Sequence, residues 1–142
     1  MARITVNPNA DADAGFDVAQ PGVYRLRIEG SANFPAVTEF DSKKTPGNRG
    51  LKIRYVFADP TIVTTTEGKT AKNLGSIIDQ SCLIYPADKQ GKLRSLVESA
   101  NLTWADFDTD DLDGKEVQAK VGVEEYNGVI RNKIERYLKP TV

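Results

Sequence analysis

Arg25, Arg27, Lys52 and Arg54 recur at every second position of two short stretches, the spacing of one face of an extended strand. In PGVYRLRIEG the arginines alternate with Tyr24, Leu26 and Ile28; in LKIRYVFAD the cations alternate with Leu51, Ile53, Tyr55 and Phe57. Paired antiparallel, two such strands put their cations on a shared outer face and turn the apolar set to a core. The chemistry open to that face is neutralisation of a polyanion, because each phosphate contacted releases counterions and the gain adds along the strand. Lys43, Lys44 and Arg49, in the intervening SKKTPGNRG, extend the field beside it. The plainer reading of the same pattern is a set of long cations that solvate the outside of a sheet.

Aromatic residues offer a second chemistry. Phe34 and Phe40 fall in the long connection Ser31 to Gly50, and Tyr126 falls at a hairpin tip. No core requires them there, and a base stacked on such a ring contributes about 1–3 kcal/mol with little regard to its identity. The loop phenylalanines could equally pin the loop to the domain. Tyr137 shares an outer parity with Lys133, whereas Tyr24, Tyr55 and Phe57 have core parity and Trp104 is expected to cover the bottom of the core.

Catalysis finds little support. The chain has no histidine, which removes the usual base near neutral pH and any imidazole-activated nucleophile. The aspartates of DFDTDDLDG lack the calcium-loop pattern, since Asp111 and Val117 stand where Gly and Glu are required, so a solvated turn is expected and not a metal site. The single cysteine, Cys82, excludes a disulfide framework and reads as a small core residue. No catalytic residue, metal or cofactor is expected.

The elements that must position these residues follow from length and punctuation. With 142 residues, 39% of them hydrophobic, one ordinary core is expected. Residues 1–15 read as a loose arm and residues 16–142 as one domain. A net charge of -1 argues against a uniformly basic surface and leaves a local patch. The start has no apolar signal core and no segment is apolar enough to span a bilayer, so a soluble cytoplasmic protein without a membrane partner is expected. After the two cation-bearing strands comes a ragged stretch, then a third strand in LGSIIDQSCLIY. A helix follows, capped by Asp88, with Leu93, Leu96, Val97 and Ala100 on one face. Two last strands join at Asn127-Gly128, a type I′ turn signal. That register opposes Val117 to Leu138, Val121 to Ile134, Lys120 to Glu135 and Glu124 to Arg131. The last hairpin therefore balances its own charge, and Arg131 and Lys133 are set aside as ligand contacts. Strand, long loop, strand, strand, helix, strand, turn, strand is the order of a mainly β, five-stranded Greek-key barrel of the OB type, with its helix between strands three and four. A small open sheet with one packed helix is the alternative.

The order and spacing of PGVYRLRIEG, GLKIRYVFAD, KLRSLVESANL, DLDGKEVQAKVGVEEYNG and RNKIERYLKP resemble the small phage-encoded single-stranded DNA-binding proteins of OB-fold type and related phage replication and recombination proteins of unassigned function. The resemblance implies non-catalytic coating of single-stranded DNA during phage replication or recombination, in the host cytoplasm, with replication or recombination proteins and further copies of the chain as partners. It carries no fixed binding motif, so Arg25, Arg27, Lys52, Arg54, Lys43, Lys44 and Arg49 as phosphate contacts, and Phe34, Phe40 and Tyr126 as stacking residues, rest on parity and position. The chain ends KPTV where many such proteins have an acidic tail, which counts against recruitment through a tail. A virion component assembled through its β domain is the second expectation.

Overall fold

The computed structural model describes residues 16–139, so the arm expected over residues 1–15 lies outside the described residues. Strict alternation makes strands of Gly22–Ile28 (β1) and Arg49–Phe57 (β3), and in each the apolar parity is buried: Leu26, Ile28, Leu51, Ile53 and Tyr55 are fully so. The remaining elements are Val37–Asp41 (β2), Ile77–Tyr85 (β4), Gly91–Ser99 (α1), Glu116–Tyr126 (β5) and Val129–Leu138 (β6).

All six strands form one antiparallel sheet in the order β2-β3-β1-β5-β6, with β4 on the other edge of β3. On its first edge β3 pairs β2 through residues 49–53 and β1 through residues 55–57; on its second edge it pairs β4. The fold is therefore mainly β with one helix, and it has one strand more than expected. β2 lies inside the segment expected to be a loop. Its apolar residues are few because it is a short edge strand, and Phe40 faces Gly50 across the pair, where a Cβ at position 50 would come within about 3.0 Å of the ring.

Helix α1 packs across β4, β5 and β6 through the expected face of Leu93, Leu96, Val97 and Ala100. Its start differs from expectation. Asp88 lies in a 3-10 turn, Ala87–Lys89, and Gln90 occupies the cap position with no side-chain cap bond. Ser99 Oγ accepts from Gln118 N at 3.0 Å and donates to Gln118 O at 3.2 Å, fixing the helix end to β5. Within the described residues no helix is long and apolar enough to cross a membrane.

The β5–β6 turn is as expected, with Asn127 at φ 51° and Gly128 at φ 80°, both left-handed as type I′ requires. Val121 faces Ile134, and the Lys120–Glu135 and Glu124–Arg131 ion pairs form at 3.6 and 2.8 Å. Toward the far end a bulge intervenes, because Lys120 pairs with Arg136 and Val121 with Ile134, leaving Glu135 as an extra residue. The expected Val117–Leu138 pairing is thereby replaced by Gln118–Leu138. Tyr137, expected on the outer face beside Lys133, is turned inward and buried.

Candidate nucleic-acid interface

The outer face of the β3–β4 pair carries Gly50, Lys52 and Arg54 from β3 and Ile78 and Gln80 from β4. Between Leu51 and Ile53 the β4 ladder slips by one residue, so Gln80 and Ser81 both face solvent at a bulge. Two hollows lie over this face and share Lys44 and Gln80. The first, about 650 Å³, is walled by Phe40, Lys43, Lys44 and Lys52. The second, about 580 Å³, runs from Ser81 to the β5–β6 hairpin and is walled by Lys92, Tyr126, Arg131 and Lys133. Together they make a groove between the loop after β2 and the last hairpin.

Charge compensation divides the cations into two groups. Among the described residues Lys43, Lys44 and Lys133 make no ion pair, and Lys52 stands 4.8 Å over the Phe34 ring. Arg54 stands opposite Ile78 and donates from Nη1 to the Glu29 carbonyl at 2.8 Å. Arg25 instead donates to Asp59 at 2.9 Å with Glu116 at 3.7 Å, and these carboxylates raise its pKa further above the usual arginine value. Arg27 has Glu29 at 3.7 Å; Arg49 has Glu39 at 2.7 Å and Asp41 at 3.4 Å. Arg25 and Arg27 also lie on β1, separated from β4 by β3. Of the residues singled out by parity and position, Lys43, Lys44, Lys52, Phe40 and Tyr126 line the groove, with Arg54 and Phe34 at its margin. Arg25, Arg27 and Arg49 do not line it.

Two residues set aside at the sequence level belong to the groove. Arg131 lies over Tyr126, its guanidinium carbon 4.5 Å from the ring centroid, and Glu124 holds it at 2.8 Å. Lys133 shares that face of β6. The signal was present in their parity with Glu124, but the Lys120–Glu135 and Glu124–Arg131 oppositions were counted as balancing the whole hairpin; both pairs form, and neither engages Lys133. Lys92, Gln80 and Ser81 were not foreseen. Lys92 comes from α1, and the outward turn of both Gln80 and Ser81 depends on a bulge with no local sequence mark.

Beneath the second hollow the end strands β4 and β6 meet through side chains. Buried Asp79 accepts from the hydroxyls of Tyr137 and Ser81 and from Ser81 N at 3.0 Å, with Lys92 Nζ at 3.8 Å. Tyr137 and Tyr55 share a hydroxyl–hydroxyl bond of 2.6 Å, and Lys92 Nζ donates to the Ile134 carbonyl at 3.2 Å. Burial pushes the Tyr55 and Tyr137 hydroxyls well above the ordinary tyrosine value, and it pushes the Cys82 thiol up to about 12. These groups stay protonated at neutral pH, so Cys82 is an inert core thiol, as expected.

The acidic stretch is a structured turn. Asp108 and Asp111 form a reciprocal capping box on the 3-10 turn Thr109–Leu112, and among the described residues no group of three or more His, Cys, Asp or Glu could hold a metal. Trp104 stacks on Phe107 at 5.6 Å and packs against the core. What the groove can do chemically is hold an anionic chain against free ammonium groups while presenting flat rings and the Gln80 amide. No protein-family model and no curated protein sequence matches the chain.

Proposed function

We propose that the chain is a non-catalytic protein that binds single-stranded DNA, with little sequence preference, along the groove over β3 and β4. On this reading β1, β3, β4, β5 and β6 are the five strands of an OB-type barrel, β2 is an inserted rim strand, and the Asp79–Tyr137–Lys92 cluster stands in for a ladder at the closing seam. The groove then lies over strands two and three of that barrel, between the loop joining its first two strands and the loop joining its last two. The phage replication or recombination setting is carried by the resemblance alone.

The observation that supports this reading is the concentration of uncompensated ammonium groups, Lys43, Lys44 and Lys133 with Lys52, beside the rings of Phe40 and Tyr126 in one groove. Lysines without carboxylate partners keep their counterions until a polyanion displaces them, and open rings take any base. In a chain of net charge -1, attraction for DNA has to come from local patches such as this one.

The test is a titration of fluorescent oligo-dT against a duplex of equal length at low and moderate salt. Salt-sensitive binding that prefers the single strand is expected. Equal affinity for both forms, or no binding at low salt together with large self-assemblies, would move the assignment to a structural, assembly-forming protein.

A further inference from the structure

A hollow of about 770 Å³ belongs to another place: the trough around Phe16, between the inner face of the β5–β6 hairpin and the short Thr64–Thr70 hairpin. An adjoining hollow of about 580 Å³ lies on the hairpin side of the same phenylalanine. We propose that this trough is a second stretch of the single-strand path, in which DNA leaving the groove passes over the hairpin tip and stacks a base on Phe16. The inference rests on the single-strand reading of the groove and extends it to a site on the opposite side of the hairpin.

Continuity is the first argument. Arg131 lines both the groove and the hollow beside Phe16, and the tip between them is apolar and open, with Val129 62% and Ile130 56% exposed. Ile130 has the inward parity of Ile134 but stands beyond the edge of the core, where packing of the chain does not cover it. The second argument is the posture of Phe16. It is 69% exposed, yet its ring rests on Gly75, where an added Cβ would come within 3.0 Å of Cγ. The segment that carries it is fixed: Asn132 exchanges two hydrogen bonds of 2.9 Å with the backbone of Ala19, and Asp17 accepts from Lys72 N at 2.8 Å and Asn73 N at 3.0 Å. A ring fixed on one side and open on the other suits stacking by a flat base.

Charge is the third. Lys69 and Lys72 line the far wall, and the acid between them and the ring, Asp17, is engaged by two backbone amides that lower its pKa. Glu67 meets Lys69 at 3.9 Å, with both side chains more than three-quarters exposed, a pairing that a phosphate can displace at little cost.

The experiment titrates the full chain with oligo-dT of about four and about twelve nucleotides, the span of lengths that one such domain occupies. The parent protein should bind the longer strand more tightly and with a steeper salt dependence. Phe16→Ala, and separately Lys69→Gln with Lys72→Gln, should lower affinity for the longer strand about tenfold, leave the shorter strand unaffected and leave the melting temperature unchanged. Lys44→Gln with Lys133→Gln should weaken both lengths. If the Phe16 and Lys69/Lys72 variants bind both lengths as the parent does, the trough is not on the path although the groove stands. If the parent binds neither length, groove and trough fall together.

Discussion

Tyr137 shows how one hydroxyl can join two strands that share no ladder. It donates to Asp79 on β4 and pairs with Tyr55 on β3, while its backbone belongs to β6. Tyr137→Phe leaves the ring in place and takes one donor from a buried carboxylate, so a loss of about 1.5–3 kcal/mol is expected in denaturant unfolding, with the slope against denaturant unchanged. Burial also makes this cluster sensitive to alkali. The folded chain keeps protons on Cys82, Tyr55 and Tyr137 that the unfolded chain releases, so their contribution is whole below the ordinary values of 9.0 and 10.0 and is lost as pH rises beyond them. The melting temperature should be level about neutrality and fall above about pH 9; in Cys82→Ala the decline should begin nearer pH 10. At this scale sequence parity served for Leu26, Ile53 and Tyr55, which sit in regular strand. It failed for Tyr137, because one extra residue at Glu135 reverses every later side chain of β6.

The last hairpin was the most legible element. Asn127-Gly128 marks a turn whose two left-handed residues leave few alternatives, and from it the Val121–Ile134 contact and the Glu124–Arg131 ion pair follow by counting, while the Lys120–Glu135 pair forms across the bulge. Strand β2 was not legible, since Val37 and Phe40 are too few to show a period and Phe40 packs on a backbone glycine instead of in the core. The helix face was readable from its spacing, whereas its start was not, the 3-10 turn having taken Asp88. Energetically the helix and the hairpin should respond differently. Leu96→Ala removes a fully buried side chain where α1 packs on the sheet and should cost about 2–5 kcal/mol in unfolding free energy. Gly128→Val forces a β-branched residue to φ 80° and should cost about 1–2 kcal/mol. It should also tilt the Tyr126–Arg131 pair out of the groove wall, so that it weakens oligo-dT binding more than Leu96→Ala does at a temperature where both variants are folded.

Across the whole molecule the decisive quantity is where positive charge remains after local pairing. The outer face of β1 and β3 has the cations that parity foretold, but Asp59, Glu116 and Glu29 sit beside Arg25 and Arg27, and none of these carboxylates is near them in sequence except Glu29. That compensation is a product of the fold, and it moves the net positive field across β3 to the groove of Lys43, Lys44, Lys52 and Lys133. Opposite charges within a Debye length of about 8–10 Å largely cancel for a ligand arriving from solution. Two double variants with the same formal change in charge should therefore behave differently. Lys44→Gln with Lys133→Gln should weaken oligo-dT binding by tenfold or more at low salt and flatten the plot of log affinity against log salt by about 1.4, two contacts at about 0.7 each for a single strand. Arg25→Gln with Arg27→Gln should change affinity less than about threefold and leave that slope as it was. The reverse outcome, with the arginine pair carrying the slope and the lysine pair inert, would put the strand on the β1–β3 face and leave the groove without its ligand.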